Sequence, residues 1–178
     1  MALKNDITRY ELQMESLLTT GDLFNVQTAY HLVPDYLNPF DYEAFKKYEG
    51  RAYAVATDIE AGTPVYFRIR DVKKDMDAIR ASASLPLVSR NVRIGNHLYL
   101  DGGISDAIPI RKSILDGNSK NVVVLTKEEG FVRQPTTQLP LLKMRYFRYP
   151  KVAELMAERH ITYNNTMDYL YEQQKNGQ

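Results

Sequence analysis

The residues with the most chemical content lie at positions 97–103, where the sequence reads HLYLDGG. The run predicts a short strand that delivers Asp101 onto a turn made by Gly102 and Gly103, because glycine adopts positive φ and tight backbone paths at no steric cost. Ligands of α/β folds bind outside the carboxyl ends of strands. Asp101 is therefore a candidate catalytic carboxylate. An aspartate that only caps a turn through backbone N–H groups explains the same pattern.

A second arrangement starts from Ser105. The string GISDA at residues 103–107 is a loose version of the G-x-S-x-G nucleophile elbow. His160 and Asp168 would complete a Ser–His–Asp triad in chain order. The arrangement is disfavoured, because alanine replaces the last glycine and Pro109 falls inside the helix that the elbow must start. His160 is equally explained as a packing residue of the tail helix.

Other chemistries find no support in the sequence. The chain has no cysteine, and its three histidines are too scattered to suggest zinc ligands. Three acids lack the glycine and terminal glutamate of an EF-hand loop: Asp71, Asp75 and Asp77. We therefore expect no metal and no cofactor. The 23 Lys plus Arg nearly balance the 22 Asp plus Glu, which argues against a nucleic-acid partner.

The N-terminal residues contain acids where a signal peptide would be continuously apolar, and no stretch approaches the roughly 20 apolar residues that span a bilayer. We therefore expect a cytoplasmic protein.

The elements around Asp101 alternate between strand and helix. A hairpin is predicted over residues 51–68, and a helix over residues 74–84 that ends at Pro86. A short helix follows Pro109 and ends at Gly117.

Two further segments are predicted to contribute to the same fold. The apolar run at residues 121–126 is typical of a parallel strand buried on both faces. From Pro150 onward, apolar residues recur at three- and four-residue steps, which predicts a long amphipathic helix. Together these elements indicate an α/β layered fold.

The stretch from residue 81 to residue 110 resembles the patatin-like phospholipase family. Its small-residue helix end with proline (81–86), its D-G-G turn (101–103) and its proline-containing helix start (106–109) match that family. The departure is Asp106, where the family usually has asparagine. The hairpin, the VVVLTKEEGFVRQP segment and the RHITYN tail resemble one bacterial branch, so the resemblance covers most of residues 21–175.

The resemblance implies a partial three-layer α/β/α sandwich with a long C-terminal amphipathic helix. We accordingly divide the chain into a polar N-terminal helix or lead-in (1–20), the C-terminal part of a patatin-like catalytic domain (21–135) and a helical C-terminal extension (136–178). The resemblance also implies a Ser–Asp dyad that hydrolyses an acyl ester or phospholipid, in which Asp101 is the general base.

The serine of that dyad lies on a G-x-S-x-G elbow, which is absent from these 178 residues. We therefore expect that the chain begins after the elbow and that it is inactive alone. We also expect that a homo-oligomer, or some rearranged packing, covers residues 122–125. The alternative is a non-catalytic interaction module on an α/β scaffold. Residues 141–151 interleave cations with aromatic residues, which suits transient contact with an anionic membrane, although an inward-packed connector explains them as well.

Overall fold

The computed structural model describes Val26 and residues 28–176; the predicted lead-in at residues 1–20 lies outside them. The chain has the expected mixed α/β class. The described strands are β1 (Ala52–Asp58), β2 (Thr63–Ile69), β3 (Val92–Ile94) and β4 (His97–Asp101). The described helices are a π-helical segment (Thr28–Leu37), α1 (Tyr42–Lys47), α2 (Met76–Ser82), α3 (Ile110–Leu115), α4 (Leu139–Arg145) and α5 (Pro150–Lys175), and a 3₁₀ turn occupies Gly102–Ile104.

The four strands form one antiparallel sheet in the order β2-β1-β4-β3. The predicted hairpin is confirmed as β1 and β2, with Gly62 at φ +71° in its turn. β1 also pairs with β4, in a register that places Ala56 opposite Asp101. The candidate carboxylate thus lies at the end of an inner strand, which is hydrogen-bonded on both sides.

Helices cover the two faces of this sheet, as the three-layer prediction requires. Successive residues of a strand point to opposite faces, and β4 follows this rule. Tyr99 packs with Ala81 of α2 on one face. Leu100 packs on the other face with Leu142 of α4 and Val152 of α5. The turn that follows Asp101 belongs to the second face, because Ile104 joins the same cluster as Leu100.

The run at residues 121–126 is not a strand, so this prediction is wrong. None of the described strands pairs with it, and the side chains of Val122 and Val124 are 95% and 86% exposed. An apolar run favours a buried strand only where a neighbouring strand satisfies its backbone. The four described strands supply no such neighbour.

The long C-terminal helix is confirmed as α5. Its buried side chains are Val152, Ala153, Met156, Tyr163 and Met167. All except Ala153 belong to the predicted apolar face, whose other members Leu155, Leu170 and Tyr171 are half-buried. A second attachment lies further along the helix, where the Asn164 side chain accepts from the N–H of Arg133 and donates to its carbonyl. The helix is therefore held both by apolar packing and by a two-way hydrogen bond.

Candidate functional site

Asp101 is the last residue of β4, as the sequence predicts. Its N–H donates to the carbonyl of Ser84, 2.8 Å away, just beyond the end of α2. Its own carbonyl accepts a hydrogen bond of 2.8 Å from the Thr57 hydroxyl of β1. Both backbone groups of Asp101 are therefore satisfied by neighbouring elements, and the direction in which its side chain leaves the strand is set.

The two glycines after Asp101 serve close approach. The expectation that they supply positive φ is wrong, because the described glycines with positive φ are Gly62, Gly95, Gly117 and Gly130.

A Cβ on Gly102 would lie 2.2 Å from the carbonyl oxygen of Val55 in β1. A Cβ on Gly103 would lie 2.9 Å from Asp101 Oδ1 and 3.1 Å from Arg159 Nη2. The glycines thus let the turn pass beneath β1 and between two side chains.

The carboxylate of Asp101 is half-buried and caps its own turn. Its Oδ1 accepts a hydrogen bond of 2.6 Å from the Gly103 N–H. Burial raises the pKa of the carboxyl, while the Gly103 hydrogen bond and the Arg159 charge oppose that rise. The capping interaction considered above therefore exists. Among the described residues, this capping interaction uses only the Oδ1 atom of Asp101. A carboxylate has a second oxygen, here Oδ2, that can also accept a hydrogen bond.

Arg159 reaches the same turn from α5. Its Nε donates to the Gly103 carbonyl at 2.6 Å, across 56 residues of sequence. A second guanidinium, from Arg133, stacks on the ring of Tyr163 at 4.4 Å from the centroid. Burial lowers the pKa of Arg159, the Arg133 charge lowers it further, and the Asp101 charge raises it. Arg159 therefore binds the turn that carries Asp101, and Arg133 lies near enough to Arg159 for its charge to lower the Arg159 pKa.

Ser105 lacks the base that a nucleophile needs. Its hydroxyl lies 2.8 Å from the Thr57 hydroxyl. Thr57 has a single hydroxyl proton, which it donates to the Asp101 carbonyl, so Ser105 is the donor in this contact. A neutral hydroxyl that already donates its own proton is not a general base. The Ser105 proton is therefore held in a structural hydrogen bond.

The alternative triad is not assembled. Among the described residues, the buried Nδ1 atom of His160 has no hydrogen-bond partner, so none of their carboxylates orients this ring through Nδ1. Asp168 is exposed and lies eight residues further along the same helix. At about 1.5 Å of rise per residue, the two are separated by roughly 12 Å along the axis. Ser105, His160 and Asp168 therefore do not form a triad in this structure.

Asp106, the departure from the family pattern, has a definite partner. Its Oδ2 accepts a hydrogen bond of 2.5 Å from the Tyr66 hydroxyl of β2. Burial, followed by this hydrogen bond and the carboxylate charge, raises the pKa of Tyr66. An asparagine has a carbonyl oxygen at the same place, so the family's usual residue would accept from Tyr66 as well.

Residues 28–176 contain no cluster of His, Cys, Asp or Glu that could hold a metal ion. Within that range, no helix has the length and apolar character needed to cross a membrane.

Two residues of the site were missed by sequence reasoning. Thr57 carries no signal, because a β-branched residue is what a strand favours and nothing else distinguishes it from Val55 of the same strand. Arg159 carries one, since it falls on the apolar stripe of α5, between Met156 and Tyr163, where a charge is unexpected. A cation on a buried helix face indicates a specific partner. Its partner, Gly103, lies too far along the chain to be inferred from spacing.

Comparison with known proteins places these features in a family. No curated protein matches the sequence significantly. A family model described as patatin-like phospholipase matches residues 3–113, which include the hairpin, α2, the Asp101 turn and most of α3. The match covers more than half of the chain, and α5 lies beyond it. The chain therefore belongs to the patatin-like phospholipase family.

Proposed function

We propose that the protein takes part in the hydrolysis of acyl esters by a Ser–Asp dyad in which Asp101 is the general base. The observation that carries the proposal is the half-buried Asp101 carboxylate at the end of β4, which uses one oxygen to hold its own turn. Burial raises the basicity of such a group, and a stronger base accepts a hydroxyl proton more readily.

The nucleophilic serine comes from outside these 178 residues, because they contain no G-x-S-x-G elbow. In the proposed reaction, the serine oxygen attacks the ester carbonyl carbon while Asp101 takes the serine proton. The tetrahedral intermediate then collapses, and the protonated Asp101 returns the proton to the leaving alcohol. Water, deprotonated by Asp101, hydrolyses the acyl-serine and restores both groups.

The substrate class that we propose is a phospholipid or a related acyl ester at an anionic membrane surface. Three apolar side chains of α4 and the following turn face solvent: Leu141 (47% exposed), Met144 (70%) and Phe147 (73%). The exposed cations Lys143, Arg145 and Arg148 lie beside them, and the ion pairs of the described residues do not include these three. Apolar side chains flanked by cations suit transient contact with anionic lipid. We propose that this contact occurs in the cytoplasm.

The deciding experiment uses a polypeptide extended upstream through a G-x-S-x-G elbow. We expect it to hydrolyse short-chain acyl esters and to react with a fluorophosphonate. Asp101→Asn should lower kcat by at least about 10³-fold, because it removes the base. Asp106→Asn is the matched control in the same turn, and it should retain activity because Asn still accepts from Tyr66.

A second function, a non-catalytic interaction module, rests on two observations. The elbow is absent from these residues, and the Asp101 carboxylate already caps its own turn. Absence of hydrolysis by the extended polypeptide would favour this module. Equal hydrolysis by the wild type and Asp101→Asn would instead reduce Asp101 to a capping residue and refute the Ser–Asp dyad.

A further inference from the structure

Gly103 is held at both of its backbone groups by side chains from different parts of the chain. Its N–H donates to Asp101 Oδ1 at 2.6 Å, and its carbonyl accepts from Arg159 Nε at 2.6 Å. One partner is the proposed base, and the other lies on α5, outside the residues that match the family.

The hydrogen bond from Arg159 restricts a glycine whose backbone is otherwise free to rotate. Glycine has the least restricted φ and ψ, so a glycine turn does not by itself fix the direction of its N–H. Both hydrogen bonds of Gly103 act across its single Cα. A fixed carbonyl therefore restricts the rotation that would carry the N–H away from Asp101.

Arg159 is itself immobilised, which a clamp requires. It lies between Met156, which is in the core with Leu100 and Ile104, and Tyr163, which packs on Phe131 and Arg133. The two-way hydrogen bond between Asn164 and Arg133 holds the next turn of the same helix. Helix α5 is thus held in place both before Arg159, through Met156, and after it, through Tyr163 and Asn164.

We infer that Arg159 is a positioning residue for Asp101: from the C-terminal helix it fixes the Gly103 carbonyl, and through Gly103 it fixes the carboxylate. The inference rests on the proposed function for its catalytic meaning. It makes α5 a working part of the site, although α5 lies outside the matched region.

The Arg159 charge has a second effect that must be separated from the hydrogen bond. Burial raises the pKa of Asp101, and the Arg159 charge counteracts the rise. The ion pairs among the described residues do not include Asp101 with Arg159, so the charge acts without direct contact. Arg159→Lys keeps the charge and loses the planar fork, whereas Arg159→Gln loses the charge and keeps an N–H donor.

The test on this chain is NMR of the Gly103 amide. In Arg159→Ala we expect hydrogen exchange at Gly103 to accelerate at least about tenfold, and its proton shift to lose the downfield position of a strong hydrogen bond, while Ala56 and Leu100 amides keep their protection. Arg159→Gln should show a smaller loss. The control is Lys151→Ala, which removes an exposed cation of α5 that pairs with Glu154, and it should leave Gly103 unchanged.

A Gly103 amide that stays at wild-type shift and protection in folded Arg159→Ala would overturn the inference. If that variant does not fold, Arg159→Gln and Arg159→Lys decide by the same measurement. A uniform loss of protection that includes Ala56 and Leu100 would also overturn it, because the role would then be general stability.

The catalytic consequence is measured on the extended polypeptide. Misplacing a catalytic group by about 1 Å costs on the order of 10²-fold, so Arg159→Ala should lower kcat by roughly 10- to 100-fold with KM changed little. Added alkylguanidine should restore part of the loss. An unchanged kcat in a polypeptide that depends on Asp101 would contradict the inference. An inactive wild type would instead refute the proposed function, and the NMR result would still decide the role of Arg159.

Discussion

Gly102 passes directly beneath Val55, so that a Cβ on Gly102 would lie 2.2 Å from the Val55 carbonyl oxygen and 2.6 Å from its carbonyl carbon. Both atoms belong to the backbone of β1. Because β1 is hydrogen-bonded to β2 on one side and to β4 on the other, its backbone cannot move away to make room for a Cβ. The sheet therefore requires glycine at this position for space.

Alanine substitutions at the two glycines should give different results. Gly102→Ala overpacks a backbone contact and should lower the free energy of unfolding by about 1–3 kcal/mol or more. Gly103→Ala meets the side-chain ends of Asp101 and Arg159 rather than backbone, so it should cost less than Gly102→Ala, roughly 1 kcal/mol, by displacing the groups that hold Gly103. Urea unfolding of both variants checks the order, and equal midpoints would contradict it.

The stability of Asp101→Asn should depend on pH. Burial raises the pKa of Asp101, so the folded chain holds this proton more tightly than the unfolded chain. The stabilising contribution is fully present below the unfolded pKa of about 4 and is lost as pH rises through the folded pKa. Asparagine has no proton to lose. The Tm of the variant relative to wild type should therefore rise with pH across that window and then level off.

Thermal unfolding followed by circular dichroism from pH 3 to 8, on the order of six points, measures the trend. The matched control is Asp168→Asn, at an exposed position on α5. A Tm difference that stays constant or falls with pH would show that burial does not dominate at Asp101.

Ser105 should be inert toward a fluorophosphonate in the 178-residue chain. Its proton is held by Thr57, and among the described residues no hydrogen bond joins His160 Nδ1 to the Ser105 hydroxyl. Intact mass spectrometry after prolonged incubation should show no adduct, and Ser105→Ala should behave in the same way. Stoichiometric labelling at Ser105 would restore the alternative nucleophile.

The exposed run at residues 122–125 should mediate self-association. Val122 and Val124 are exposed in a segment without a described strand partner, and exposed apolar segments recruit another chain. We expect sedimentation velocity at micromolar concentration to show a homo-oligomer. Val124→Lys should dissociate it, whereas Leu115→Lys, at another 84% exposed position, should not. A monomeric wild type would contradict the prediction.

Binding to anionic vesicles should depend on Met144 and Phe147. Replacing both with serine removes most of the exposed apolar surface beside Arg145 and Arg148, so co-sedimentation with vesicles of phosphatidylglycerol and phosphatidylcholine should fall at least about fivefold. Val132→Ser, at a 60% exposed position elsewhere, is the control. Binding should weaken as salt rises. Equal binding by all three proteins would show that residues 141–151 are a connector.

Local patterns in the sequence are sufficient to predict the strands and helices around Asp101. The hairpin follows from two β-rich runs around Gly62, and α5 follows from the spacing of Val152, Met156 and Tyr163. The strand that ends at Asp101 and the turn after it are equally local, because each depends on residues within a few positions of one another. The same patterns mislead at residues 121–126, where apolar character predicts a strand but not the neighbour that a strand needs.

Only the tertiary structure decides what surrounds the carboxylate. The need for glycine at position 102 comes from Val55, which β1 places there through its pairing with β4. The clamp on Gly103 comes from Arg159, across 56 residues, and the Ser105 proton is held by Thr57 across 48. These contacts depend on how layers pack and on hydrogen bonds across the fold, which one-dimensional spacing does not encode. The sequence by itself therefore predicts that Asp101 ends a strand, and the packing of α5 and β1 decides how its carboxylate is held.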